Sequence, residues 1–298
     1  MTGAWHIGVI GGSGISATEL DEAQEIAVAS AFGEPSGPVT MGRIGGTRVT
    51  FIGRHGPGHR IPPSAVNYRA NIDVLKRCGV TDILALSATG SLREEMAPGQ
   101  IVAVDQFIDR TVSRERTFFS DGFVAHVNLA DPVCSRLTGI AADAAEAAGA
   151  VVHRGGCYVA IEGPQFSTRA ESRMFRSWGG DVIGMTAMPE ARLAREAELP
   201  YALLGMVTDY DSWREGEEGV EVDAILAVMR ANAAIARETV AKFIGLLPAR
   251  RAASPIDRAL DHAIVTPREH WHWAATARLD AVAGRLMQKD GEAPSKQK

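Results

Sequence analysis

Residues 7–16 read IGVIGGSGIS, an apolar run that favours a β-strand and then turns through glycine. Gly11, Gly12 and Gly14 allow the backbone to turn tightly, and Ser13 adds a hydroxyl to the backbone N–H groups of the turn. The stretch therefore predicts a strand that ends in an anion-binding loop. A glycine turn without any ligand is the alternative interpretation.

The same loop matches the dinucleotide-binding fingerprint, because Gly12, Gly14 and Ala17 occupy its three small-residue positions. That fold next requires an amphipathic helix and an acidic residue about 20 positions further on, for which Glu34 is available. The following stretch ATELDEAQE, residues 17–25, is short and acidic and lacks an apolar stripe. A nicotinamide-dependent oxidoreductase is therefore a weaker interpretation of this loop.

The composition is that of an ordinary globular protein. The chain has 298 residues, 46% of them hydrophobic, which is enough for one large α/β domain or two small ones. The net charge of −5 is spread along the chain, which argues against nucleic acid or a membrane surface as a partner. Three unclustered cysteines indicate neither a disulfide framework nor a zinc site. With no leader and no membrane-spanning run, the expected location is cytoplasmic.

Strand-like and helix-like patterns alternate along the chain, which is typical of an α/β sheet with helices on its faces. The predicted strands are residues 6–10, 48–53, 82–88, 100–106, 157–161, 181–185 and 201–209. The predicted helices are residues 64–79, 134–148, 168–178 and 222–247.

Basic and hydroxyl side chains follow the predicted strands. Arg54 and His55 come directly after one strand, and Ser87 with Ala88 lies at the end of another. Because parallel strands end at one edge of a sheet, these groups and Ser13 are expected to surround one anion from three directions. For the stretch with Arg54 and His55, the alternative is a surface turn with two solvated histidines, His55 and His59. A metal pair of His55 with His59 is excluded, because the glycines and proline between them prevent a shared helix face.

Two further stretches carry groups suited to a planar ligand. Phe166 and Ser167 precede a predicted helix, where a ring can stack and a hydroxyl can bond, although a core staple is the commoner role for such a Phe. Asp209 and Asp211 end an apolar strand and lie on the same side of it. A partly buried carboxyl with a raised pKa can donate a proton near neutrality. Two turn-forming aspartates are the alternative.

Several long motifs, taken in order, identify a family. They are GVIGGSG, RHGPGH with PPSAVNYRANI, TGSLREEMAPG, DQFIDRT, IEGPQFSTRAES, GMTAMPEARLAREA and TDYDSW. With these motifs, residues 6–247 resemble the methylthioadenosine phosphorylases of the trimeric branch of the purine nucleoside phosphorylase family. The resemblance implies a single-domain α/β fold of the phosphorylase/hydrolase-like type, with a central mixed β-sheet flanked by helices. It also implies that the glycine loop holds inorganic phosphate.

The resemblance further implies the site residues. Those expected around the phosphate are Ser13, Arg54, His55, Ser87, Ala88 and Thr186. Those expected around the nucleoside are Met185 at the ribose, Phe166 and Ser167 at the purine, Asp209 and Asp211 at its amino edge, and Val222, Ile225 and Leu226 at the 5' substituent, with His126 joining from a neighbouring subunit. Asp209 and Asp211 are the expected catalytic residues. No metal and no cofactor is implied.

The expected reaction is phosphorolysis of S-methyl-5'-thioadenosine, with 5'-deoxyadenosine and adenosine as further substrates. A 6-oxopurine nucleoside phosphorylase, a phosphate-independent nucleosidase and a nucleoside-binding module without catalysis are the alternatives. The expected assembly is a homotrimer, with a hexamer as the alternative. Residues 248–298 are predicted to be a C-terminal extension packed at the subunit edge, with a helix over residues 268–286 and a disordered end. His270 and His272 in it are too few for a metal site.

Overall fold

A computed structural model of the chain describes residues 3–11, 20–215 and 222–287, although not the side chains of residues 222, 224–226 and 229. The described strands are β1 His6–Gly11, β2 Asp21–Ile26, β3 Val39–Ile44, β4 Thr47–Gly53, β5 Asp82–Ser91, β6 Ile101–Val104, β7 Gln106–Asp109, β8 Val152–Arg154, β9 Cys157–Ala160, β10 Val182–Gly184 and β11 Tyr201–Asp209. The described α-helices are α1 Tyr68–Arg77, α2 Ser135–Ala147, α3 Arg169–Ser177, α4 Ala187–Glu196, α5 Val222–Leu246, α6 Trp273–Arg278 and α7 Gly284–Met287.

All of these strands join one mixed sheet. Its main path runs β2-β3-β4-β1-β5-β10-β9-β7, and β11 pairs with both β5 and β6. Strand β1 is parallel to β4 and β5, and β5 is parallel to β11. The pairs β2-β3, β3-β4, β5-β10 and β6-β11 are antiparallel. The carboxyl ends of β1, β4, β5 and β11 therefore meet at one edge of the sheet.

Helices cover both faces of the sheet, as the alternation of side chains on β5 shows. Leu84 and Leu86 belong to an apolar cluster that includes buried residues of α2 and α5. Ile83 and Ala85, which point the other way, belong to a cluster with buried residues of α1 and α4. The expected α/β fold with a central mixed sheet flanked by helices is confirmed.

The C-terminal segment from residue 248 packs on the same core. Leu260, Leu279 and Val282 are buried in the cluster that contains α1 and α4. Arg251 forms an isolated antiparallel bridge with Gly3 and is paired with Asp82 of β5. The helices of this segment are short, with six and four residues, so the long helix expected over residues 268–286 is not formed. The domain boundary at residue 247 stays a prediction.

Each predicted strand and helix before residue 248 has a counterpart in the structure, but several elements were missed. The missed strands are β2, β3 and β8, and the missed helix is α4. The predicted strand over residues 100–106 is also divided, since it ends at Val104 and β7 begins at Gln106.

Candidate active site

The strand ends bring the predicted anion-binding groups to one place. Arg54 follows β4 directly, and its backbone N–H donates to the carbonyl of Gly11 at the end of β1, at 3.0 Å. Ser87 and Ala88 lie on β5 opposite Gly205 and Met206 of β11. Arg54 and His55 therefore begin a turn beside the start of the glycine loop. Ser13 itself lies outside the described residues.

Arg54 is buried and already paired. Its side chain is 1% exposed, and Nε and Nη2 donate to the two carboxylate oxygens of Glu190 in α4 at 2.7 and 2.9 Å. Nη1 donates to the carbonyl of Leu86 at 3.1 Å. Tyr201 donates its hydroxyl to the same Glu190 carboxylate at 2.8 Å. Burial lowers the pKa of Arg54, but Glu190 raises it more, so the guanidinium stays charged.

A hydroxyl cluster lies next to this ion pair. Ser87 Oγ is 3.1 Å from Thr186 Oγ1 and 3.3 Å from Tyr158 Oη. The backbone N–H of Thr186 donates to Tyr158 Oη at 3.3 Å. Tyr158 can reach this position only because residue 184 is glycine. A Cβ at Gly184 would lie 2.1 Å from the phenol oxygen of Tyr158. Thr186 comes just before α4, whose regular helical backbone begins only after Met188 (φ −118°, ψ 137°).

His55 is neutral in this environment. It is 8% exposed, and burial lowers its pKa to about 4. Its Nδ1 lies 2.9 Å from the carbonyl of Ile61, so this nitrogen carries the proton and Nε2 carries the lone pair. The ring of His59 stacks on it, with centroids 4.1 Å apart. His55 can therefore accept a hydrogen bond through Nε2 rather than supply a positive charge.

The two predicted catalytic aspartates share one turn at the end of β11. Asp209 Oδ1 accepts from the backbone N–H of Asp211 at 2.8 Å, and Asp209 Oδ2 accepts from the Thr208 hydroxyl at 2.7 Å. Burial raises the pKa of Asp209, and burial raises the pKa of Asp211 to about 6. Gly90 of β5 faces both, because a Cβ there would lie 2.8 Å from Asp209 Oδ1 and 3.3 Å from the Cβ of Asp211.

Phe166 and Ser167 lie just before α3, as expected. Thr168 caps this helix in a capping box, in which it accepts from the N–H of Glu171 and the Glu171 carboxylate accepts from the N–H of Thr168. Phe166 is 40% exposed, so it is not a core staple. Ser167 Oγ is buried and has no hydrogen-bond partner among the described residues, which leaves it available to a ligand.

Met185 lies between β10 and Thr186. Its carbonyl accepts from Arg114 at 2.6 Å, and its side chain packs against Gly163, where a Cβ would lie 2.4 Å from the Met185 sulfur. Gly163 has φ +66°, a conformation that glycine adopts without strain. Arg114 and Gly163 therefore hold the backbone and the side chain of Met185 in place.

The remaining predicted residues are not placed at the site by the described part of this chain. His126 is exposed on a loop, where its N–H donates to the carbonyl of Ala263 at 2.8 Å. Val222, Ile225 and Leu226 belong to α5, but their side chains are outside the described residues.

The sequence interpretation missed four residues that support this site: Arg114, Tyr158, Glu190 and Tyr201. Tyr158 and Tyr201 lie in predicted strands and Glu190 lies in one of the family motifs, whereas Arg114 lies in neither. Within the described ranges, no group of three or more His, Cys, Asp or Glu residues is arranged to hold a metal ion. No helix in the same ranges has the length and apolar character needed to cross a membrane.

Comparison with known proteins agrees with this arrangement. The family model described as the phosphorylase superfamily matches residues 6–245. The chain belongs to the phosphorylase superfamily. It is 52% identical over 284 residues to the S-methyl-5'-thioadenosine phosphorylase of Cereibacter sphaeroides, covering 94% of this chain and 98% of that protein. It is 49% identical to the protein of the same name from Geobacter sulfurreducens, covering 94% and 99%.

Solved structures give the same result for this superfamily member. A methylthioadenosine phosphorylase from an antarctic soil metagenomic library superposes with a TM-score of 0.89 at 43% identity, covering 94% of this chain and 99% of that chain. The methylthioadenosine phosphorylase from Schistosoma mansoni, in complex with adenine, superposes with a TM-score of 0.77 at 38% identity, covering 81% and 91%. Coverage of 94% exceeds the first 247 residues, so these alignments extend into the C-terminal segment.

Proposed function

We propose that this protein catalyses the phosphorolysis of S-methyl-5'-thioadenosine to adenine and 5-methylthioribose 1-phosphate. The observation that carries the proposal is the meeting of two groups at one sheet edge: the Arg54–Ser87–Thr186 cluster and the Asp209–Asp211 pair. The relatives named S-methyl-5'-thioadenosine phosphorylase, at 49–52% identity over nearly the whole chain, support the choice of substrate.

The first group suits inorganic phosphate. Arg54 has two N–H groups beyond those given to Glu190 and Leu86, and Ser87, Thr186 and the N–H of Ala88 supply further donors. His55, with its lone pair on Nε2, accepts from a protonated phosphate oxygen. We include Ser13 in the same site. A nucleosidase, which uses water, has no need for this set of donors.

The second group suits the base. When the phosphate oxygen bonds to the anomeric carbon, the C1'–N9 bond breaks and its electron pair leaves with the purine. Asp209, with its raised pKa, shares a proton with purine N7 and accepts from the 6-amino group. A 6-oxopurine places an acceptor against the aspartates, so adenine is favoured over hypoxanthine. Ser167 and the ring of Phe166 complete the purine site.

The sugar lies between these two groups. In the proposal the N–H of Met185 binds the ribose hydroxyls, and Val222, Ile225 and Leu226 form an apolar wall around the methylthio group. His126 belongs to the neighbouring subunit's site, which makes a homotrimer, or a hexamer built from two of them, the working assembly. An apolar wall rejects an added hydroxyl only modestly, so 5'-deoxyadenosine and adenosine are slower substrates.

The proposed reaction needs no cofactor and no metal, since phosphate is the second substrate. The three cysteines are unpaired, which fits the proposed cytoplasmic location.

The substrate assignment is tested by measuring kcat/KM for S-methyl-5'-thioadenosine, 5'-deoxyadenosine, adenosine and inosine at one phosphate concentration. The proposal expects the three adenine nucleosides to be turned over and inosine to be nearly inert. If inosine were the best substrate, the protein would be a 6-oxopurine nucleoside phosphorylase and the role of the aspartate pair would be wrong.

A further inference from the structure

The loop after β7 carries Arg114, whose side chain packs beneath the residues of the proposed site. Arg114 is buried, with its side chain 1% exposed, yet none of the proposed substrate-binding roles uses it. Its guanidinium lies 5.3 Å from the ring centroid of Tyr68. Burying a guanidinium costs free energy unless its N–H groups have hydrogen-bond acceptors. The acceptors of Arg114 therefore indicate which segments it stabilises.

The partners are mostly backbone carbonyls. Nη1 donates to Met185 O at 2.6 Å, to Met188 O at 2.8 Å and to Tyr68 Oη at 3.0 Å. Nη2 donates to Glu162 O at 2.7 Å, and Nε donates to the Glu162 carboxylate at 2.9 Å. One planar group therefore ties the turn before α4 to the segment after β9.

The position of these carbonyls in the chain connects Arg114 to both proposed substrates. Met185 and Met188 bracket Thr186, the residue proposed to bind phosphate. Met185 is itself the residue proposed to bind the ribose. Glu162 precedes Gly163, against which Met185 packs. Arg114 thus fixes the backbone that sets the distance between phosphate and sugar.

The Arg114 side chain is in turn held by its own loop. The second oxygen of the Glu162 carboxylate accepts from the N–H groups of Val112 and Ser113 at 2.6 and 3.0 Å. The loop therefore contacts Glu162 twice, through the Arg114 side chain and through its own backbone N–H groups. A lysine has one charged nitrogen and cannot reach carbonyls that lie around different edges of a guanidinium group.

We infer that Arg114 is a positioning residue for phosphorolysis, which acts through Met185 and Thr186 without touching either substrate. The inference rests on the proposed function. Small errors in the placement of reacting groups reduce turnover strongly, by roughly 100-fold for about 1 Å. Loss of Arg114 should therefore lower kcat and raise KM for both substrates, beyond any effect on stability.

The test compares R114K with R251K. Arg251 is also buried and also joins separate segments, through Asp82 and Asp257, but Asp82 lies five residues before Ser87 on β5, at roughly 16 Å. Kinetics are measured with S-methyl-5'-thioadenosine and phosphate each varied, and thermal unfolding is measured in parallel. We expect R114K to lose about 100-fold in kcat with a higher KM for phosphate, and R251K to stay within about twofold.

Equal kinetic effects in R114K and R251K at equal losses of thermal stability would overturn the inference. If R114K does not fold, E162Q carries the test, because Glu162 is partly exposed and its change removes one charge from the Arg114 network. A kcat for E162Q within about twofold of wild type then overturns the inference, and a loss of about tenfold supports it. A wild-type protein without phosphorolysis would instead overturn the proposed function and this inference with it.

Discussion

Replacing Glu190 by Gln should damage phosphate binding and stability together. Glu190 is the countercharge of Arg54, and both side chains are almost fully buried, at 2% and 1% exposure. Breaking a buried pair by neutralising one partner costs about 3–5 kcal/mol, because a charge is left uncompensated. With an unfolding entropy of about 2 cal/mol/K for each residue of a chain of this length, this cost lowers the unfolding midpoint by roughly 5–8 °C.

The effect on phosphate follows from hydrogen-bond geometry. The Gln amide keeps one acceptor but turns an NH2 group towards a guanidinium N–H, so Arg54 must rotate. Its two remaining N–H groups then leave the phosphate position. A lost hydrogen bond to a charged group costs about 1.5–3 kcal/mol, which corresponds to a rise in KM for phosphate of roughly 10- to 100-fold.

The assay is phosphorolysis of S-methyl-5'-thioadenosine at varied phosphate, with thermal unfolding of the same samples. The matched control is Asp82→Asn, which removes a fully buried carboxylate from Arg251. Asp82 is the first residue of β5, away from the phosphate-binding residues that follow Leu86. Asp82→Asn should show a comparable loss of stability and an unchanged KM for phosphate. If the two variants shifted KM for phosphate equally, the role assigned to the Arg54–Glu190 pair would be refuted.

Three further predictions concern the base site and the pH dependence of stability. Asp209→Asn should lower kcat/KM for S-methyl-5'-thioadenosine by about 10²–10⁴-fold in steady-state assays, and unchanged turnover would remove Asp209 from proton transfer. Gly90→Ala should displace the Asp209 carboxylate, which a Cβ would approach to 2.8 Å, and a wild-type preference for adenosine over inosine in this variant would contradict that. Burial raises the pKa of Glu196 from 4.5 to about 7. Since Glu196 ionises at lower pH in the unfolded state than in the folded state, stability should fall as pH rises from about 4.5 to 7. The urea midpoint of Glu196→Gln should depend less on pH over this range than that of wild type. Parallel pH profiles of the two midpoints would contradict this prediction.

Strands with apolar character could be predicted from the sequence, whereas polar edge strands could not. β5 and β11 are almost entirely buried, and they contain the apolar runs ILAL (residues 83–86) and ALLGMV (residues 202–207). β2 reads DEAQEI, and five of its six residues are exposed, so it carries no hydrophobic pattern. α4 was missed, and its first turn is interrupted at Met188, whose backbone is extended (φ −118°, ψ 137°).

The site could be predicted only as far as strand ends and motifs reach. Arg54 and Ser87 were expected together because parallel strands end at one edge. Glu190 is 136 residues from Arg54 in sequence, and Arg114 is 71 residues from Met185, so no local pattern joins them. Such pairs arise from long-range packing, where a buried charge requires a partner but the sequence does not say which one.

The most direct test of the account is the release of adenine from S-methyl-5'-thioadenosine with and without inorganic phosphate, with the sugar product identified. The account predicts release that requires phosphate and yields 5-methylthioribose 1-phosphate in equal amount with adenine. Release at the same rate without phosphate, with free 5-methylthioribose as the product, would contradict it.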